Sequence, residues 1–205
     1  MTVDAIAALR EPVRRAVYDH VAGSGGDVGR NEVAEAVGIG RTLAAHHLDK
    51  LVEVGLLETS SARLNGRSGP GAGRPAKLYR RAAGEVTAAV PPRDYPLMAA
   101  ILAEAAEQAG IEPATYAAAR RRGKDDARDG EDPESAARRL GYEPYRDGDV
   151  VRLRNCPYER LSRAHPGLIC GTNLAYLTAA ASPDARLDPR PDGCCVVLPS
   201  KNNVR

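Results

Sequence analysis

Apolar positions recur at helical spacing over the first third of the chain, and this spacing marks out three helices. From Leu9 to Ala22, Val13, Ala16, Val17 and Val21 share a face, with Pro12 in the first turn and Gly23-Ser24-Gly25-Gly26 behind. A second helix is predicted from an Asn31 cap to Val37, with Val33, Ala34 and Val37 inward. Gly38-Ile39-Gly40 reads as a tight turn, and the third helix follows from Arg41 to Val54. Its inner face carries Ala44, Leu48, Leu51 and Val52. Its outer face carries Arg41, Thr42, Ala45, His46, Asp49 and Lys50, and His47 reads as a packing residue on the flank. Gly55 supplies a left-handed stop. Leu56 to Leu64 and Ala76 to Arg81 are predicted to be paired strands around a glycine-rich loop, and Met1 to Ala8 a frayed lead-in.

Beyond a linker closed by Pro91-Pro92, the pattern predicts a helix over Tyr95 to Ala109 with Leu97, Ile101, Leu102 and Ala105 on one side. Such a stripe serves either a dimer contact or the core. Helices at Thr115 to Arg122 and Pro133 to Leu140 flank a charged, exposed run over Arg120 to Glu131. A hairpin is expected from Tyr142 to Arg154, turning at Asp147-Gly148. Helices over Tyr158 to His165 and Leu168 to Ala181 follow, then a strand edge at Arg186-Leu187 and a strand entered through Gly193-Cys194-Cys195. The expected class is α+β, with a winged helix-turn-helix domain over 1–83, a linker over 84–92, and a helical and antiparallel-sheet sensor domain over 93–200.

Charge changes this picture in one place. The chain carries a net charge of +2, but residues 1–83 hold 12 basic and 9 acidic side chains, and the remainder 17 and 18. Ala62 to Arg81 contains Arg63, Arg67, Arg74, Lys77, Arg80 and Arg81 and no carboxylate, a single-sign cluster suited to a polyanion. Helix, turn and helix at this spacing place the third helix in a major groove. Arg41, Thr42, Ala45 and His46 would face base edges or phosphates, and Lys50 a phosphate. Arg67, Lys77 and Arg74 belong to the basic wing, where Gly73-Arg74-Pro75 can carry an arginine into a minor groove. The expected partner is double-stranded DNA. No apolar run approaches the roughly 18 residues of a membrane span, and no signal-peptide pattern is present, so the expectation is a cytoplasmic protein without a membrane partner.

The candidate chemistry sits at the other end. Cys156, Cys170, Cys194 and Cys195 all lie in the last quarter, separated by 13, 23 and 0 residues. In a reducing compartment, thiols serve more readily as metal ligands or buried apolar groups than as disulfides. The spacing matches no zinc knuckle. Widely spaced thiolates gathered by a fold suit an iron–sulfur cluster. Zinc, a small organic ligand or no cofactor are the alternatives, as is a thiol enzyme with Cys156 or Cys170 as nucleophile and His165 as base.

The segment Arg41 to Leu57, followed by Gly73-Arg74-Pro75-Ala76-Lys77-Leu78-Tyr79-Arg80, resembles the ArsR-type winged-helix regulators. Asn155-Cys156-Pro157-Tyr158, Cys170 and Gly193-Cys194 are similar to the cysteine sites of their SufR-like, iron–sulfur-sensing branch. The resemblance implies a homodimeric repressor on a palindromic operator. It also implies a [4Fe-4S] cluster held by three cysteines, carried here onto Cys156, Cys170 and Cys194. The second thiol, Cys195, departs from that pattern, so either or both of the adjacent cysteines would be ligands. The Cys-x-Cys of metal-sensing relatives near the recognition helix is absent.

Overall fold

The computed structural model describes residues 2–62, 76–89, 91–190 and 193–200, and the chain divides into two compact units, Met1–Arg93 and Asp94–Arg205. It is a mixed α and β chain whose described strands form two small antiparallel sheets.

The first unit runs α1 (Thr2–Ala8), α2 (Pro12–Ser24), β1 (Val28–Gly29), α3 (Arg30–Val37), α4 (Arg41–Glu53), β2 (Leu57–Ala62) and β3 (Ala76–Arg81). Strand β3 is central, pairing β1 on one side and β2 on the other, with Leu57 opposite Arg81 and Ala62 opposite Ala76. Helix α2 starts cleanly because Glu11 accepts from the backbone N–H groups of Val13 and Arg14 at 3.1 and 2.6 Å. Helix α4 ends where Gly55 turns left-handed (φ 76°), which lets Leu56 N–H return to the Leu51 carbonyl at 2.9 Å. Val17, Val21, Val33, Leu48, Leu51 and Leu57 meet in one core. Each such side chain contributes about 1.5–3 kcal/mol on leaving water.

Three expectations change here. Residues 2–8 form a helix rather than a frayed lead-in, because Ala5 is buried in the same core and α1 rests on α4. Strand β1, not expected at all, exists because Val28 and Gly29 pair with Tyr79 and Leu78. Asn31 is not a cap. The chain enters α3 through extended Gly29, whose N–H meets the Glu32 carboxylate at 3.5 Å, and Asn31 stands exposed in the first turn.

The second unit contains α5 (Tyr95–Gln108), α6 (Glu112–Asp126), α7 (Pro133–Arg139), β4 (Pro144–Asp147), β5 (Val150–Leu153), α8 (Glu159–Ala164), α9 (Pro166–Ala180), β6 (Arg186–Leu187) and β7 (Val196–Pro199). Its sheet order is β4-β5-β7-β6, antiparallel throughout. Helices α6 and α9 approach closely because glycines face the partner helix: a Cβ on Gly171 would stand 2.5 Å from the Tyr116 hydroxyl, and one on Gly123 would stand 2.9 Å from the Ala179 Cβ. Tyr142, Val151, Leu153, Leu177, Cys194, Val196 and Leu198 form the core.

Tyr142 does not belong to the hairpin as expected. It turns inward where Gly141 (φ 89°) ends the α7 segment, and its N–H returns to the Ala137 carbonyl at 3.0 Å. The hairpin turn is Gly148-Asp149, since Asp147 pairs with Val150. Helix α6 continues through the charged run to Asp126, and α9 begins at Pro166, whose missing N–H is harmless in a first turn. Arg152, on the outward phase of β5, is nonetheless buried. Its guanidinium bonds Asp147 at 2.8 Å and also Asp188, so the charge is paired on both sides. Among the described residues, no helix is long and apolar enough to cross a membrane.

Candidate nucleic-acid surface and thiol site

Helix α4 presents Arg41, Thr42 and His46 to solvent from its first two turns, with Ala45 half-buried between them. The opposite face is locked by Leu48 and Leu51, so burial sets the phase of the exposed residues. His47 packs inward. Its Nδ1 lies 3.7 Å from the Glu11 carboxylate, and burial holds the imidazole below its ordinary pKa. Glu11 therefore caps α2 and stands beside α4, a double placement that the sequence pattern did not reveal.

Both described lysines of the expected set have internal partners. Lys50 is paired with Glu53 at 2.7 Å, and Lys77 with Asp49 at 2.6 Å. The Lys77 ammonium also lies 5.1 Å from the Tyr79 ring centroid, and the Tyr79 hydroxyl donates to Asp49 at 3.2 Å. The hydrogen bond from Lys77 holds the Asp49 carboxyl below its usual range, and the same bond raises the Lys77 pKa. Strand β3 is thus tied to the exposed face of α4, and the Asp49 charge is neutralised there. Arg67, Arg74 and the Gly73-Arg74-Pro75 segment lie outside the described residues.

The four cysteines come from three separate places in the second unit. Cys156 follows β5, Cys170 lies in the second turn of α9, and Cys194-Cys195 precede β7. Gly193 makes the last approach possible. Its φ of 91° is left-handed, and a Cβ there would stand 2.7 Å from the Leu153 carbonyl oxygen. That same oxygen accepts from Cys194 N–H at 2.9 Å, fixing the cysteine against the end of β5. All four are free thiols, with Cys194 buried and the others half-buried.

They fall into two neighbouring pairs, Cys156 with Cys194 and Cys170 with Cys195. The neighbouring Cys194 thiol lowers Cys156 to about 7, helped by the Tyr158 N–H and the Ser162 hydroxyl. The same interaction, with burial, pushes Cys194 up. Cys170 is raised to about 12, first by burial and then by its contact with Cys195, and it also feels the Cys156 charge. Adjacent residues entering a strand point to opposite sides, so Cys194 serves one pair and Cys195 the other. Among the described residues, no group of three or more His, Cys, Asp and Glu side chains is arranged to hold a metal ion. The donor set itself is purely thiol, the soft chemistry of iron–sulfur ligation. His165, the base considered for a thiol enzyme, has its Nδ1 on the Glu107 carboxylate at 2.6 Å.

Comparison with protein-family models, with curated proteins and with solved structures finds no match for this chain.

Proposed function

We propose that this protein is a DNA-binding transcriptional regulator, a winged helix-turn-helix repressor acting as a homodimer on a palindromic operator. An iron–sulfur cluster in the second unit, of the [4Fe-4S] type, controls it. Arg41, Thr42, Ala45 and His46 read the major groove from α4, and Arg67 and Arg74 of the basic wing also meet DNA, Arg74 in a minor groove. Cys156, Cys170, Cys194 and Cys195 would hold the cluster, which when bound supplies a redox-sensitive centre.

The observation that supports the reading is the gathering of all four cysteines of the chain into two neighbouring pairs, from segments far apart in sequence. The dimer is supported by α5. Its Tyr95, Leu97, Met98, Ile101 and Leu102 leave between 50 and 73% of their surface exposed, on an arc that carries no charge. A change of cluster state that alters dimer geometry needs a coupling of only about 1–3 kcal/mol to switch operator affinity.

Anaerobic purification followed by mobility shifts on the gene's own upstream DNA, in cluster-loaded and cluster-free forms, tests the proposal. The expected result is bound iron and sulfide, and operator affinity that differs between the two forms. A colourless, iron-free protein with full operator binding would sink the cluster assignment, and absence of binding in both forms would sink the regulator.

A further inference from the structure

Helix α9 is apolar along its buried side, with Leu168, Ala175, Leu177 and Ala180, yet it buries Asn173 among them with 3% of its surface exposed. A mid-helix asparagine sacrifices helix propensity, and a buried amide needs partners for both of its ends. Both ends are used. The Asn173 carbonyl oxygen accepts from the Tyr142 hydroxyl, and its Nδ2 donates to the Cys194 sulfur at 3.3 Å. The Val196 backbone N–H donates to the same sulfur at 3.5 Å. Two N–H donors aimed at one sulfur fix its direction, and they stabilise a thiolate there once a metal has displaced its proton to solvent. An asparagine kept only to satisfy Tyr142 would need its oxygen end alone, and the nitrogen end would then stand unpaired in the core.

We propose that Asn173 is a positioning residue of the thiol site: its amide N–H orients and stabilises the Cys194 sulfur as ligand to a thiophilic metal centre, and Tyr142 fixes which end of the amide faces that sulfur. This rests on the reading that the four thiols hold a metal centre. It adds a residue that touches neither metal nor DNA.

The test compares wild type, Asn173→Leu and Tyr142→Phe by anaerobic titration with cadmium(II) against a competing chelator. Thermal unfolding of each protein is recorded alongside. Asparagine-labelled protein reports the Asn173 side-chain amide by NMR. The expected result is a loss of cadmium affinity of about tenfold or more for Asn173→Leu. A smaller loss is expected for Tyr142→Phe, together with movement of the Asn173 amide signal when cadmium binds the wild type. Equal affinity in wild type and Asn173→Leu overturns the proposal, as does a wild type that leaves cadmium with the chelator. If Asn173→Leu does not fold, Tyr142→Phe decides: undiminished affinity with an unmoved amide signal overturns it. Reconstitution of wild type with ferrous iron and sulfide, run in parallel, reports on the cluster separately. A protein that binds cadmium but assembles no cluster loses the cluster assignment, while the cadmium series still decides the role of Asn173.

Discussion

Replacing Gly193 by alanine tests how the thiol site is built, because a matched control lies in the same unit. Gly193 and Gly141 have nearly the same backbone angle, φ 91° and 89°, so alanine at either incurs a similar left-handed strain of about 1–2 kcal/mol. They differ in surroundings. A Cβ at Gly141 meets nothing within 4 Å, whereas one at Gly193 stands 2.7 Å from the Leu153 carbonyl oxygen. That oxygen is held by Cys194 N–H at 2.9 Å, so relief means breaking the bond and leaving a buried acceptor open, a further cost of about 1–3 kcal/mol. Gly193→Ala is therefore expected to destabilise by about 2–5 kcal/mol and Gly141→Ala by about 1–2. Urea unfolding of the reduced proteins, followed by far-ultraviolet circular dichroism, gives both values. The displaced strand entry also carries Cys194 and Cys195 away from their neighbours, so under the proposed cluster assignment Gly193→Ala is expected to bind less iron than Gly141→Ala. Equal destabilisation by the two substitutions would refute the close approach as the reason for glycine at 193.

Two further outcomes follow from the surfaces and charges described. Ile101→Glu places a carboxylate in the exposed apolar arc of α5 at a position that is already 50% exposed, so stability should change by no more than about 0.5 kcal/mol. The proposed dimer should nonetheless dissociate, and sedimentation equilibrium showing equal masses for variant and wild type would exclude α5 as the contact. His47 is held below its ordinary pKa of 6.5 by burial, so as pH falls through that value the unfolded chain takes up a proton that the folded chain refuses. The His47 contribution to stability is thus fully present above about pH 6.5 and lost progressively as pH falls through its lower folded-state pKa. His47→Gln should flatten that dependence in urea midpoints taken across the range, and unchanged slopes would assign it to another group.

Helices α2 and α4 were legible in the chain because their apolar residues repeat every turn, and burial against one another requires that repeat. The outward placement of Arg41, Thr42 and His46 followed from the same phase. Other features carried no local signal. Strand β1 has two residues and exists only through β3, and α1 is ordered because Ala5 finds a core built by later residues. The basic character of the first unit was visible, but its strength was not: Lys50 meets Glu53 one turn along its own helix, whereas Lys77 is matched by Asp49, which only folding brings near.

The cysteines mark the division most clearly. The order of residues supplies four thiols in the last quarter of the chain, at intervals that imply no geometry. Which thiol neighbours which is settled by folding. Docking of β7 beside β5, made possible by Gly193, sets Cys194 near Cys156, while the next residue, Cys195, neighbours Cys170. Asn173 could have been noticed as a lone amide in an apolar helix, but its partner lies 21 residues away. Periodicity reports short-range regularity, whereas a site is assembled from long-range contacts whose entropy cost the whole core must offset.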